Sequence, residues 1–181
     1  LGIQDTGFQV PEENIERFSV LYGGAEQGGL EVVQGPNRNW RTQYPISGST
    51  GLLSNAPDYM RFAQMLLNGG ELDGTRLLGR NTVELMTENH LPRALLPIKV
   101  DPADVWNRGS GYGLGFKVLI DVAESGFLGS QGEYGWGGFA TTRFWIDPRE
   151  ELIGLIMAQF VPTFSRVLDE FKVLTYQAIE D

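Results

Sequence analysis

Two apolar, β-rich runs, Phe139 to Ile146 and Leu152 to Gln159, are joined by Asp147-Pro148-Arg149-Glu150, and this pairing constrains the fold more than any other feature. So short a connection of turn-forming and charged residues is a tight turn, which makes the two runs antiparallel neighbours. Upstream, Tyr112, Leu114, Phe116 and Val118 alternate with other residues at the period of a strand, which extends the pair to a three-stranded meander. Downstream, Phe164, Val167, Leu168, Phe171, Leu174 and Ala178 recur at helical spacing and give one apolar face that would pack on that sheet.

The first 110 residues follow a different period. Tyr59, Phe62, Ala63, Leu66 and Leu67 mark a helix that starts near Ser54, with Asn55 and Asp58 as a capping pair and Gly69-Gly70 as its stop. Arg80 to Glu88 reads as a second short helix closed by Leu91-Pro92, after a turn at Asp73-Gly74. The segment Thr6 to Tyr22, with its Pro-Glu-Glu start, predicts a further short helix from Ile15, Phe18, Leu21 and Tyr22. Residues 23–45 read as loop with one or two brief strands, and 91–110 as an irregular connection. Helices, then strands, then a helix is an α+β order, here a single domain over 1–181, with helices and loops over 1–110 and strands and the last helix over 111–181.

Composition excludes several roles. A net charge of −9 with no run of Lys or Arg would repel phosphate backbones, so no nucleic-acid partner is expected. The longest apolar stretch, Leu152 to Ala158, is about a third of the roughly 20 residues a membrane-spanning helix needs. Cysteine is absent, which rules out disulfides and thiol chemistry and leaves the compartment open. Leu1 stands where a methionine would begin a chain, so the amino terminus reads as cut.

Three stretches together resemble the β-lactamase-like serine hydrolases, the superfamily of class C β-lactamases, penicillin-binding DD-peptidases, esterases and acyltransferases. They are Gly48 to Phe62 running on through Met65 to Leu78, then Gly111-Tyr-Gly-Leu-Gly-Phe116, then Gly135-Trp-Gly-Gly138 followed by Thr141 to Pro148. Asp5-Thr-Gly-Phe8 with Val10-Pro11 is similar to the segment that precedes them. The resemblance implies an incomplete β-lactamase/transpeptidase-like fold. It also implies a parent enzyme that forms an acyl-enzyme on serine from a small-molecule ester, amide or lactam, with no metal or organic cofactor.

In that family the third active-site motif is Lys-Thr-Gly, His-x-Gly or Trp-x-Gly on an edge strand, and here it is Trp136-Gly137-Gly138. The resemblance makes these three residues the substrate wall and the Phe139 backbone N–H one of two oxyanion donors. Trp136 replaces a cation, which favours an esterase-like or acyltransferase-like parent over recognition of a carboxylate-bearing lactam. The family's nucleophile motif, Ser-x-x-Lys, is missing: the lysines are Lys99, Lys117 and Lys172, and residues 96, 114 and 169 are Leu96, Leu114 and Asp169. The chain therefore reads as the carboxy-terminal half of such an enzyme, inactive alone, whose partner is the missing amino-terminal half.

The alternative is a non-catalytic binding or assembly module on the same scaffold. An unpaired sheet edge could also drive a homo-oligomer. Other residues have plainer readings. His90, the single histidine, is a solvated loop residue, Ser54 a helix cap, Ser47 and Ser49 turn residues, and Phe139 by its side chain a packing residue. Asp147, Glu150 and Glu151 are solvated turn charges, and Tyr112, Trp136 and Trp145 are strand aromatics rather than a sugar platform.

Overall fold

The computed structural model describes residues 1–35, 48, 51–97, 107–163 and 165–180. Its centre is a five-stranded antiparallel meander in the order β5 (Ser110–Tyr112), β6 (Lys117–Leu119), β7 (Tyr134–Gly138), β8 (Thr142–Asp147) and β9 (Leu152–Met157). The expected β8–β9 pairing is present over its whole length, from Thr142 opposite Met157 to Asp147 opposite Leu152. The alternating segment 112–118 is not one strand. It folds back on itself at Gly113–Phe116, so that Tyr112 faces Lys117, and the alternation runs through a turn whose Gly115 has φ 98°. The run at Phe139 also begins later than expected, because residues 139–141 form the turn between β7 and β8.

One face of the sheet is covered by α1 (Ala56–Leu67). Its amino terminus is fixed as the sequence suggests, with the Asn55 side chain accepting the Asp58 N–H at 2.8 Å. Ser54 is not the cap; its hydroxyl bonds Thr6 at 2.8 Å. Gly69 and Gly70 turn the chain away in the left-handed region, with φ 69° and 99°. The helix buries Ala63, Met65 and Leu66 in a cluster with Phe116, Val118, Tyr134, Phe144 and Ile146. Asp73-Gly74 turns between β3 (Glu71–Leu72) and β4 (Thr75–Arg76), and α2 (Arg80–Thr87) contributes Val83 to the same core.

The opposite face carries α3 (Val122–Ser125) and α4 (Ser165–Gln177). Leu168 is buried there and Phe171 packs edge-on against Trp145, as an apolar face requires. The rest of that face differs from expectation. Leu174 is 64% exposed, while Lys172 and Tyr176 turn inward to the carboxylates of Glu133 and Asp147. Phe164 lies outside the described residues.

The amino-terminal helix is a shorter and tighter turn than expected, a 3-10 segment over Glu12–Arg17. Phe18 is extended, and Leu21 and Tyr22 belong to β1 (Leu21–Gly24) instead. β1 sits between β2 (Leu30–Gln34) and β10 (Phe160–Val161), pairing antiparallel with the first and parallel with the second. Those ladder bonds outweigh the helical spacing of Leu21 and Tyr22. Among the described residues no helix is long and apolar enough to cross a membrane.

Candidate active site

Strand β7 carries the sequence Tyr134-Gly-Trp-Gly-Gly138, and Gly135 and Gly138 are demanded by its neighbour β8. A Cβ on Gly135 would lie 2.2 Å from the Phe144 carbonyl oxygen and 2.8 Å from the Trp145 Cα, so no side chain fits. One on Gly138 would meet the Thr142 hydroxyl at 2.3 Å. β8 pairs with this strand along all five residues, whereas β6 pairs with it only at Tyr134 and Gly135. The ladder with β6 thus ends before Trp136-Gly137-Gly138.

Trp136 is 41% exposed, and its ring meets that of Tyr112 edge to face at 5.3 Å and 76°. Trp145 does not join them. It is buried against Phe171 and stacks near-parallel on Tyr176, so the three aromatics make no common platform. Phe139 is not a packing residue, since it is 76% exposed at the start of the β7–β8 turn.

That turn is held rigidly from one side. The Phe139 carbonyl accepts the Thr163 hydroxyl at 2.9 Å, the Ala140 carbonyl the Phe160 N–H at 3.2 Å, and the Thr141 carbonyl the Ala158 N–H at 3.2 Å. Thr141 is fully buried at φ 60°, a left-handed conformation unusual for a β-branched residue, and its hydroxyl donates to the Phe160 carbonyl at 2.8 Å. Three carbonyls are thus engaged. No acceptor among the described residues takes the Phe139 N–H. Sequence reasoning missed Thr141 and Thr163 as the residues that fix this turn, because nothing in an Ala-Thr-Thr run announces a positive φ.

The remaining candidates sit elsewhere. His90 is exposed, with Nε2 2.8 Å from the Leu85 carbonyl oxygen. Ser47, Ser49 and Lys99 lie outside the described residues. Asp147 is not a solvated turn charge. It is fully buried, accepting the N–H groups of Ser130 and Arg149 at 3.1 Å and of Glu150 at 3.3 Å, and the Tyr176 hydroxyl at 2.7 Å. Among the described residues no group of acids or histidines could hold a metal ion.

An open cleft on the α4 side of the sheet is lined by Ser110, Lys117, Ser125, Arg143 and Lys172, among others, and includes none of Trp136 to Phe139. Its two hydroxyls are committed to backbone: Ser110 donates to the Arg108 carbonyl at 3.2 Å and Ser125 to the Val122 carbonyl at 2.8 Å. Neither is set up as a nucleophile, which needs a base within hydrogen-bond reach.

Residues 1–177 match the family model described as Beta-lactamase. The chain belongs to the Beta-lactamase family. It is 35% identical over 168 residues to Protein Rv1367c of Mycobacterium tuberculosis (strain ATCC 25618 / H37Rv), covering 91% of this chain and 41% of that protein. Among solved structures it is similar to simvastatin synthase (LovD) from Aspergillus terreus, with a TM-score of 0.79 and 21% identity, covering 99% of this chain and 47% of that one. EstCE1, a hydrolase with promiscuous acyltransferase activity, gives a TM-score of 0.79 at 19% identity over 97% of this chain and 47% of that one. These likenesses show the fold, and the chain spans less than half the length of each of the three.

Proposed function

We propose that this chain is the carboxy-terminal half of a serine acyl hydrolase or acyltransferase, and that its β7 forms one wall of the acyl-transfer site. Trp136, Gly137 and Gly138 line the pocket, and the Phe139 N–H donates to the oxygen that becomes negative as the carbonyl is attacked. The observation that carries this reading is the turn at 139–141, where three carbonyls are tied down and the Phe139 N–H has no acceptor among the described residues. A donor fixed before the reaction needs no reorganisation when charge develops, which is what such a site requires. The nucleophile belongs to the amino-terminal half, since no serine here has a lysine three residues on.

Trp136 offers an apolar face where relatives of other type carry a cation, so the acyl group is neutral and the bond an ester in preference to a carboxylate-bearing lactam. Two of the similar structures, named as a synthase and as a hydrolase with acyltransferase activity, support that direction.

The competing reading is a non-catalytic binding or assembly module, favoured by the absence of Ser-x-x-Lys from the whole sequence. Intact mass after a fluorophosphonate or a penicillin, with a chromogenic ester assay on the same sample, separates the readings. The chain alone should give neither adduct nor turnover, and a mixture with the amino-terminal part of Rv1367c should give an adduct on that part. An adduct on this chain would overturn the assignment of the nucleophile, and none in the mixture would favour the module.

A further inference from the structure

On the face of the sheet away from α1, an open cleft lies between α4, α3 and strands β5 to β8. Alternation along the strands decides what lines it. Val118, Tyr134, Phe144 and Ile146 turn to the α1-side core, so their strand neighbours Lys117, Leu119, Gly135, Arg143 and Trp145 turn the other way. Gly135 adds no side chain to this surface, and a Cβ there has no room against β8. The floor is therefore left bare.

The charge of the cleft is opposite to that of the chain. Of the 14 Lys and Arg residues four line it, Arg108, Lys117, Arg143 and Lys172, whereas of the 23 Asp and Glu residues two do, Glu133 and Asp169. A chain of net charge −9 thus gathers a local excess of positive charge in one concavity, where low-dielectric walls concentrate its field. Both acids are committed. Glu133 accepts from the Lys172 ammonium at 2.5 Å and the Tyr176 hydroxyl at 2.8 Å, and Asp169 from the Arg143 guanidinium at 2.7 Å. Arg108 is exposed, and among the described residues no carboxylate pairs with it.

The neutral part of the lining has the same bias. Trp145 is 2% exposed, and its indole N–H finds no acceptor among the described residues, although buried donors are as a rule paired. Leu119 and Phe127 add apolar surface. Cations and an N–H donor over an apolar lining call for a ligand that is an acceptor, is negatively charged and has an apolar body.

We propose that this cleft binds a small organic dianion, a phosphate monoester or dicarboxylate that carries an apolar group. The cations that answer its head group are Arg108, whose planar fork fits phosphate and carboxylate alike, and Lys117. Arg143 and Lys172 are fixed by their own carboxylates and hold the wall. The lining includes none of Trp136 to Phe139 and no residue of β9, so the site is separate from the acyl-transfer wall and does not rest on the half-domain reading.

The test is a titration of the chain with phenyl phosphate, with phthalate and, as the neutral control, with benzyl alcohol, followed by NMR. At least one dianion should shift the Trp145 indole N–H and the backbone amides of Lys117 and Gly135 saturably and leave the Trp136 indole N–H in place. A response to one dianion and not the other supports the site and fixes its head group. Arg108→Gln alters an exposed side chain in no ion pair, so it should keep the melting temperature while weakening binding at least about tenfold, and adding Lys117→Gln should weaken it further. Absence of any saturable shift with millimolar dianion overturns the inference. An equal response to benzyl alcohol makes the cleft an apolar pocket and overturns it as well. So does unchanged affinity in Arg108→Gln, or a set of shifts centred on Trp136, since either places binding elsewhere.

Discussion

On one face of the five-stranded sheet α1 lays Ala63, Met65 and Leu66 against Phe144 and Ile146, whereas on the other α4 reaches in with Lys172, Tyr176 and Asp169 to meet Glu133, Asp147 and Arg143. Among the described residues the first interface contains no ion pair, and it is specified by shape. The second holds two, Lys172–Glu133 at 2.5 Å and Arg143–Asp169 at 2.7 Å, and the Tyr176 hydroxyl lies between two carboxylates, 2.8 Å from Glu133 and 2.7 Å from Asp147. Burial first, and then the charges of Glu133 and Asp147, push the Tyr176 hydroxyl up, so it remains a donor over the whole working range of pH. Apolar contact alone tolerates sliding, but a lysine and a phenol aimed at fixed carboxylates allow one position for the helix. That difference teaches where specificity and where bulk stability reside in this fold.

The largest effect should come from breaking the polar side. Lys172→Met leaves Glu133 buried without its cation and should cost about 3–5 kcal/mol in urea unfolding. The double variant Lys172→Met with Glu133→Leu should recover most of that loss, because the desolvated charge goes with its partner. A single variant that costs under about 1 kcal/mol would mean that α4 is held by Leu168 and Phe171 alone. On the apolar side Leu66→Ala should cost about 2–5 kcal/mol by transfer and cavity terms, with no recovery by any second substitution that removes a charge.

The contrast also explains what was legible in the sequence. Helix α1 is legible nearly to the residue because its apolar period, its Asn55 cap and its Gly69-Gly70 stop are all local signals. The position of helix α4 is legible too, but its inward face is not, since Leu174 fits an apolar stripe and yet is exposed while Lys172 fits a solvated one and yet is buried. Nothing local says that Glu133 waits 39 positions upstream of Lys172 in the chain. The same limit applies at the candidate site. Trp136-Gly137-Gly138 stands out in the sequence, whereas Thr141 and Thr163, which fix the turn after it, act only through partners the fold brings near.

A smaller effect is expected where the two sides share a strand. Gly154 in β9 has the Trp145 ring so close that a Cβ would lie 2.1 Å from it. Gly154→Ala should therefore cost about 1–3 kcal/mol by overpacking and should displace Trp145 from its contacts with Phe171 and Tyr176. Near-UV circular dichroism reports this directly. A Trp145 signal that does not change would place the tight contact elsewhere.

The smallest effect concerns Asp58, the one buried charge of α1, and it shows polar pinning on the otherwise apolar side. Burial raises its pKa, but the Asp5 N–H at 2.7 Å, the Thr6 hydroxyl at 3.0 Å and the Gln4 N–H at 3.2 Å outweigh that and hold it below the usual carboxylate value. A carboxylate with a depressed folded pKa stabilises the fold above its unfolded value, near pH 3.8, and that contribution is lost as pH falls through the folded value. Asp5 is lowered too, by its bond from Arg17, and titrates in the same window. Stability measured from pH 6 down to about pH 2 should thus fall less steeply for Asp58→Asn than for the unaltered chain, the slope that remains in the variant including that of the Asp5–Arg17 pair. Parallel curves would mean that residues 4–6 stay docked on α1 without the charge, and that the polar pins of this fold are confined to the α4 face.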